Sequence, residues 1–181
     1  SHSHIRFGTF QRIAFEQNAG LMRQLVDYCL THFYGGVKTN NPAAELLQHV
    51  TQKVARLAGA YMTSGFVHGV LNTDNMNITG ESFDYGPWRF TTVWEPGFTA
   101  AYFDHEGLYC FARQPEALHW NLAQLASSLR SISEFNIVIL SFKASTLCTS
   151  KSSSISCLSN EPFGISNSSS LITPSYFIYC L

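Results

Sequence analysis

The stretch Phe66–Phe90, FVHGVLNTDNMNITGESFDYGPWRF, decides how the rest of the chain is read. It gathers His68, Asp74, Asn75 and Asp84 among glycines, a proline and short apolar runs, in a chain of which only 13% is charged. Phe66 to Val70 is apolar and Asn72-Thr73-Asp74-Asn75 is a polar turn. Met76–Ile78 and Ser82–Asp84 then flank Gly80 as the arms of a small hairpin, closed by Gly86-Pro87. Amide and carboxylate oxygens on two arms of one hairpin are the hard donors that Mg²⁺ takes, so the stretch is a candidate metal loop.

The spacing has a parallel in the protein kinases, whose H-R-D-x-x-x-x-N loop is followed by D-F-G. Here His68 and Asn75 stand seven apart, and Asp84-Tyr85-Gly86 follows. Val70 occupies the place of the kinase catalytic aspartate and cannot accept a proton, so hydroxyl-directed γ-phosphoryl transfer is not expected. Asp74 is the best substitute base. From spacing alone a second reading stays open: Asp74, Asn75 and Asp84 are also common turn formers, and His68 reads more readily as a structural histidine than as a catalytic one.

Working outward, IRFGTFQRIA over residues 5–14 carries aromatic and β-branched residues and is expected to be extended. A chain that starts inside such a stretch reads as an internal piece of a longer protein. From Asn18 to Phe33, Leu21, Leu25, Val26, Cys29, Leu30 and Phe33 recur at helical spacing, and Gly35-Gly36 ends the pattern. A second helix is predicted from Asn41-Pro42 to Ser64, with Gly65 as its stop and Leu46, Leu47, Val50, Val54, Leu57, Ala58 and Tyr61 as its apolar stripe. Pro115 opens a third, to about Leu129. The expected fold class is α+β, mainly helical.

The bulk numbers exclude several functions. Eleven Lys plus Arg against twelve Asp plus Glu leave no whole-chain field for nucleic acid or an anionic membrane, and no run of eighteen apolar residues or signal-peptide pattern is present. Cys29, Cys110, Cys148, Cys157 and Cys180 show no zinc-type spacing and read as reduced thiols. Residues 136–181 hold 13 serines but only Lys143, Lys151 and Glu161 as charges, so the chain divides into a domain at 1–134 and a Ser-rich tail at 135–181 that is expected to be disordered and foreign to the fold. Asp104-His105-Glu106 reads as a solvated loop, His2 and His4 as a flexible terminus, Trp88, Trp94 and Trp120 as packing residues, and Asn77-Ile78-Thr79 as an unused glycosylation sequon.

GFVHGVLNTDNMNITGESFDYGPWRF resembles the signature of the selenoprotein O (YdiU) family, HGVMNTDNMSILG followed by DYGP; SHIRFGTFQ at 3–11 and QPEALHWNLAQLA at 114–126 agree with it as well. The resemblance covers roughly residues 1–133. It implies a protein-kinase-like fold, here the hinge strand and helical lobe with the catalytic and metal loop, that transfers AMP from Mg·ATP to Ser, Thr or Tyr of protein substrates. By motif it implies Asn75 and Asp84 as Mg²⁺ ligands, Asp74 as catalytic base and Arg6 as a phosphate contact. The family's glycine-rich segment, its phosphate-contacting lysine and that lysine's glutamate would precede Ser1. The chain alone is therefore expected to be weak or inactive, and the alternative expectation is a non-catalytic ATP- and Mg²⁺-binding scaffold.

Overall fold

The computed structural model describes residues 1–36 and 38–133. The expected tail at 135–181, with the NIVIL run and Cys148, Cys157 and Cys180, lies outside the described residues. Four helices carry the fold: α1 (Phe7–Phe15), α2 (Ala19–Phe33), α3 (Pro42–Ser64) and α4 (Gln114–Leu129). Two three-residue strands, β1 (Phe66–His68) and β2 (Trp88–Phe90), pair antiparallel with Phe66 opposite Phe90 and His68 opposite Trp88. Among the described residues no helix is long and apolar enough to cross a membrane.

The helix limits follow from local chemistry. Asn18 accepts from Leu21 N–H at 2.9 Å to cap α2, and beyond its end Gly36 N–H donates back to Leu30 C=O at 2.9 Å. Asn41 accepts from Ala44 N–H at 3.2 Å, and Pro42 opens α3 where a missing N–H costs nothing. At its far end Gly65 sits in the left-handed region, φ +70°, so the chain turns directly into β1. These bounds match the sequence expectation for α2 and α3.

Residues 5–14 do not. The stretch expected to be extended is helical from Phe7, because Phe7, Phe10 and Ile13 recur at intervals of three and bury one face while Arg12 and Phe15 stay exposed. Aromatic and β-branched composition favours strands only where a neighbouring strand gives it a pleated surface to fit. Here α4 and α2 supply the apolar surface instead, and helical burial prevails. What remains extended is Arg6, which forms an isolated antiparallel bridge with Asn77.

α4 packs on α1 and α3, and α2 on α1 and α3. Phe7 and Phe10, Met22 and Val26, Leu46 and Val50, and Leu118, Leu122, Leu125 and Leu129 make the core, each at most 1% exposed. Burying a side chain of this kind contributes roughly 1.5–3 kcal/mol. A smaller cluster of Val67, Ala100 and Phe111, with Met62 and Phe98 against it, underlies β1. The tryptophans fill the packing role expected of them only in part. Trp88 stacks on Phe66 and Trp94 meets Phe111 edge-on, yet Trp88, Trp94 and Trp120 each remain about half exposed.

Candidate functional site

The hairpin of the candidate site is closed by a bridge between Met76 and Ser82, with Asn77 N–H donating to Glu81 C=O at 3.0 Å and Phe83 N–H to Asn75 C=O at 3.1 Å. Asn75 thus lies opposite Phe83, and Asp84 is the next residue along the facing arm. Tyr34 anchors the hairpin by donating its hydroxyl to Ile78 C=O at 2.6 Å, and a chain of hydroxyls from Tyr61 through Ser82 to Tyr85 ties it to α3.

Asn75 is 5% exposed. Its Nδ2 donates to Val70 C=O at 2.7 Å, which fixes the amide plane, while its Oδ1 has no hydrogen-bond partner among the described residues. The turn before it is an Asx turn: Asn72 Oδ1 accepts from Asp74 N–H at 3.0 Å and Asn75 N–H at 3.2 Å. Asp84 is exposed and holds φ +60°, a left-handed conformation uncommon for a residue with a Cβ. Gly86 N–H bonds to the Asp84 carbonyl at 2.9 Å and continues the turn.

His68 joins the two arms. Its Nδ1 accepts from Val70 N–H at 3.1 Å and its Nε2 meets Phe83 C=O at 3.0 Å, so the neutral ring with the proton on Nε2 satisfies both partners. Burial pushes its pKa below the ordinary histidine value, against the opposing effects of the Phe83 carbonyl and Asp84. The side chain therefore acts as a structural brace, with its acceptor nitrogen already occupied.

Arg6 arrives from the other side. It is the exposed N-cap residue of α1, and its guanidinium lies over the Phe83 ring at 5.4 Å, next to the Asp84 arm. The first turn of α1 rests on the loop as well: Phe7 N–H donates to Met76 C=O at 2.9 Å and Gly8 N–H to Thr73 C=O at 3.1 Å. Asp74 is exposed, and its carboxylate lies against Gly8, in space that any Cβ there would overlap. The structure thus places Arg6, Asp74, Asn75 and Asp84 around one loop, between the start of α1 and the hairpin.

The donor set suits a hard cation. Asn75 Oδ1 has no partner among the described residues and Asp84 is exposed; both are oxygen donors, and Mg²⁺ commonly takes one or two such groups and completes its octahedron with water and phosphate. Among the described residues no group of three or more His, Cys, Asp or Glu gathers as a metal cluster, so the softer donor sets of zinc are not formed there. Asp104 is used internally, its two oxygens accepting from Leu108 and Tyr109 N–H at 2.7 and 2.8 Å. Cys29 is buried and its thiol is pushed up to about 12 by that burial, which leaves it inert. The sequon asparagine, Asn77, is fully buried and braces Thr79.

The terminus expected to be flexible is instead tied down. His2 N–H and Nδ1 both reach Glu81 at 2.9 Å, and Ser3 is buried. Sequence reasoning missed Gly8, Phe83 and two fully buried amides of α4, Gln114 and Asn121. The last two carried a usable signal, since they fall on the same helical face as Leu118, Leu122 and Leu125, and a polar residue on an apolar stripe requires a buried partner.

Comparison with known proteins gives a consistent result. The family described as protein adenylyltransferase SelO matches residues 1–149. The protein nucleotidyltransferase YdiU of Trichormus variabilis is 46% identical over 131 residues, covering 72% of this chain and 27% of its own length. The protein of the same name from Synechocystis is 45% identical over 136 residues, covering 73% and 28%, and that of Rhizobium etli 41% over 128, covering 70% and 26%. The chain spans about a quarter of the length of the curated relatives it matches.

Proposed function

Since the chain belongs to the SelO family of protein adenylyltransferases, we propose that the loop around Asn75 is the metal and nucleotide end of an enzyme that moves AMP from Mg·ATP to a Ser, Thr or Tyr hydroxyl of a protein. The observation that supports the reading is the Asn75 amide, pinned through Nδ2 with its oxygen free of partners among the described residues, and an exposed Asp84 one residue beyond its cross-hairpin neighbour Phe83. The fold is read as the helical lobe of a kinase-like protein.

In this reading Asn75 Oδ1 and the Asp84 carboxylate would hold Mg²⁺, whose charge would offset that of the phosphates. Arg6 offers the phosphates a fork of N–H donors that cannot lose its charge at working pH. Asp74 accepts the proton of the incoming hydroxyl as its oxygen bonds to the α-phosphorus. The bond from that phosphorus to the bridging oxygen breaks, and pyrophosphate leaves with the electron pair. Val70 fits this course, because no carboxylate is needed at the position that serves γ-phosphate transfer. Positioning and charge neutralisation supply the catalysis.

The test is label transfer in the longest form the gene encodes. Label from α-labelled ATP is expected on protein, none from γ-labelled ATP, and none from either in Asp84→Ala. Transfer of γ-label, or α-label transfer that survives Asp84→Ala, rejects the assignment. The 181-residue chain alone is expected to transfer little or nothing.

A further inference from the structure

α4 reaches the candidate site through two side-chain amides. Gln114 Oε1 accepts from His68 N–H at 2.9 Å, and its Nε2 donates to Phe66 C=O at 2.8 Å. β2 bonds the alternate residues of the same stretch, with Thr91 N–H on Gly65 C=O and Gly69 N–H on Pro87 C=O, so Phe66 and His68 present their backbone groups to the opposite edge. The Gln114 amide fills that edge as a single peptide unit of a third strand would. Seven residues on, two turns along the same helix face, Asn121 Nδ2 donates to Leu71 C=O at 2.8 Å. Between these two fixed points lies Val70, whose carbonyl holds the Asn75 amide.

We propose that Gln114 and Asn121 are positioning residues: by gripping the backbone on both sides of Val70 they aim the Val70 carbonyl, and through it turn the Asn75 oxygen toward the side where Asp84 stands. The inference rests on the function proposed above for Asn75 and Asp84. Asn121 separates positioning from simple packing. Its Oδ1 is buried with no partner among the described residues, a cost that a leucine of nearly the same shape would not carry. For folding alone, leucine at 121 removes one hydrogen bond and the orphaned Asn121 oxygen but leaves the buried Leu71 carbonyl without that donor, so one orphaned acceptor replaces another and the net change in stability is small. What it cannot do is orient the Leu71 carbonyl.

Asn121→Leu and Gln114→Met, both close in shape to the residues they replace, are compared with the unaltered protein by thermal melting, by amide hydrogen exchange and by Mn²⁺ titration in the presence of ATP. For Asn121→Leu the melting temperature should stay within about 3 °C while exchange over residues 69–76 accelerates at least tenfold, with α2 and α3 unchanged. Half-saturating Mn²⁺ should rise several-fold in both variants, and in an Asn75→Ala background Asn121→Leu should add nothing further. Unchanged loop exchange overturns the proposal, and so does acceleration shared equally with α2 and α3. If the unaltered protein takes up no Mn²⁺ with ATP, the metal reading of the site falls, and the exchange comparison still decides whether α4 holds the loop.

Discussion

A methyl group on residue 8 would overlap Asp74 Oδ1, so the place of that carboxylate depends on a hydrogen atom on α1. Asp74 is exposed and its side chain can swing aside, which makes Gly8→Ala a means of moving the candidate base without removing it. The expected outcome is an AMP-transfer rate lowered about ten- to a hundredfold, with the KM for ATP and the melting temperature nearly unchanged, since small misplacements of a reacting group cost on that order. An unchanged rate in steady-state assays would remove Asp74 from the base role. At this scale the sequence was informative about residue types: the spacing of Asn75 and Asp84 and the absence of a carboxylate at Val70 were all readable. Contacts between segments remote in sequence were not, and so Gly8 beside Asp74 and Arg6 over Phe83 emerge only from the folded chain.

Elements were legible where their ends are chemically marked. Asn41-Pro42 and Gly65 bound α3 at the residues expected, because a cap, a missing donor and a left-handed residue each act locally. α1 was misread because its composition pointed one way and its spacing another, and only the neighbouring helices decide between them. β2 is three residues long and defined by its pairing with β1, which no local pattern encodes. Gly65 also lies close to β2: a Cβ there would meet the Thr91 carbonyl at 2.6 Å, on top of the strain of φ +70°. Gly65→Ala is therefore expected to cost at least about 1–2 kcal/mol and to speed amide exchange in β2 before α2, as read by denaturant melts and exchange mass spectrometry. Equal stability in the variant would contradict the turn geometry.

For the molecule as a whole, His68 links stability to pH. Its folded pKa lies below the unfolded value of about 6.5, so below that pH the unfolded chain binds the extra proton more readily than the folded one. Stability contributed by the neutral ring is complete above pH 6.5 and is lost as pH falls below it, at up to about 1.4 kcal/mol per pH unit, until the folded pKa is reached. Melting temperatures should decline from pH 7 to pH 5, and the decline should flatten in His68→Asn. Glu81 titrates in a separate, lower window. Its partial burial favours the neutral acid, but the His2 N–H and the Thr79 hydroxyl outweigh this and hold its carboxyl at about 2. That partly exposed group contributes above its ordinary value of 4.5 and loses its contribution between there and pH 2.

The two bonds from the first turn of α1 to the loop also order events in time. A helix of nine residues has little stability of its own in water, and the carbonyl that receives Phe7 N–H belongs to Met76, 69 positions later. Until that distant segment has folded, α1 lacks both its cap and the hairpin it rests on. Among the described residues, α1 is therefore tied to a hairpin that leaves the ribosome some 69 positions after it, so these two bonds wait on a segment synthesised later.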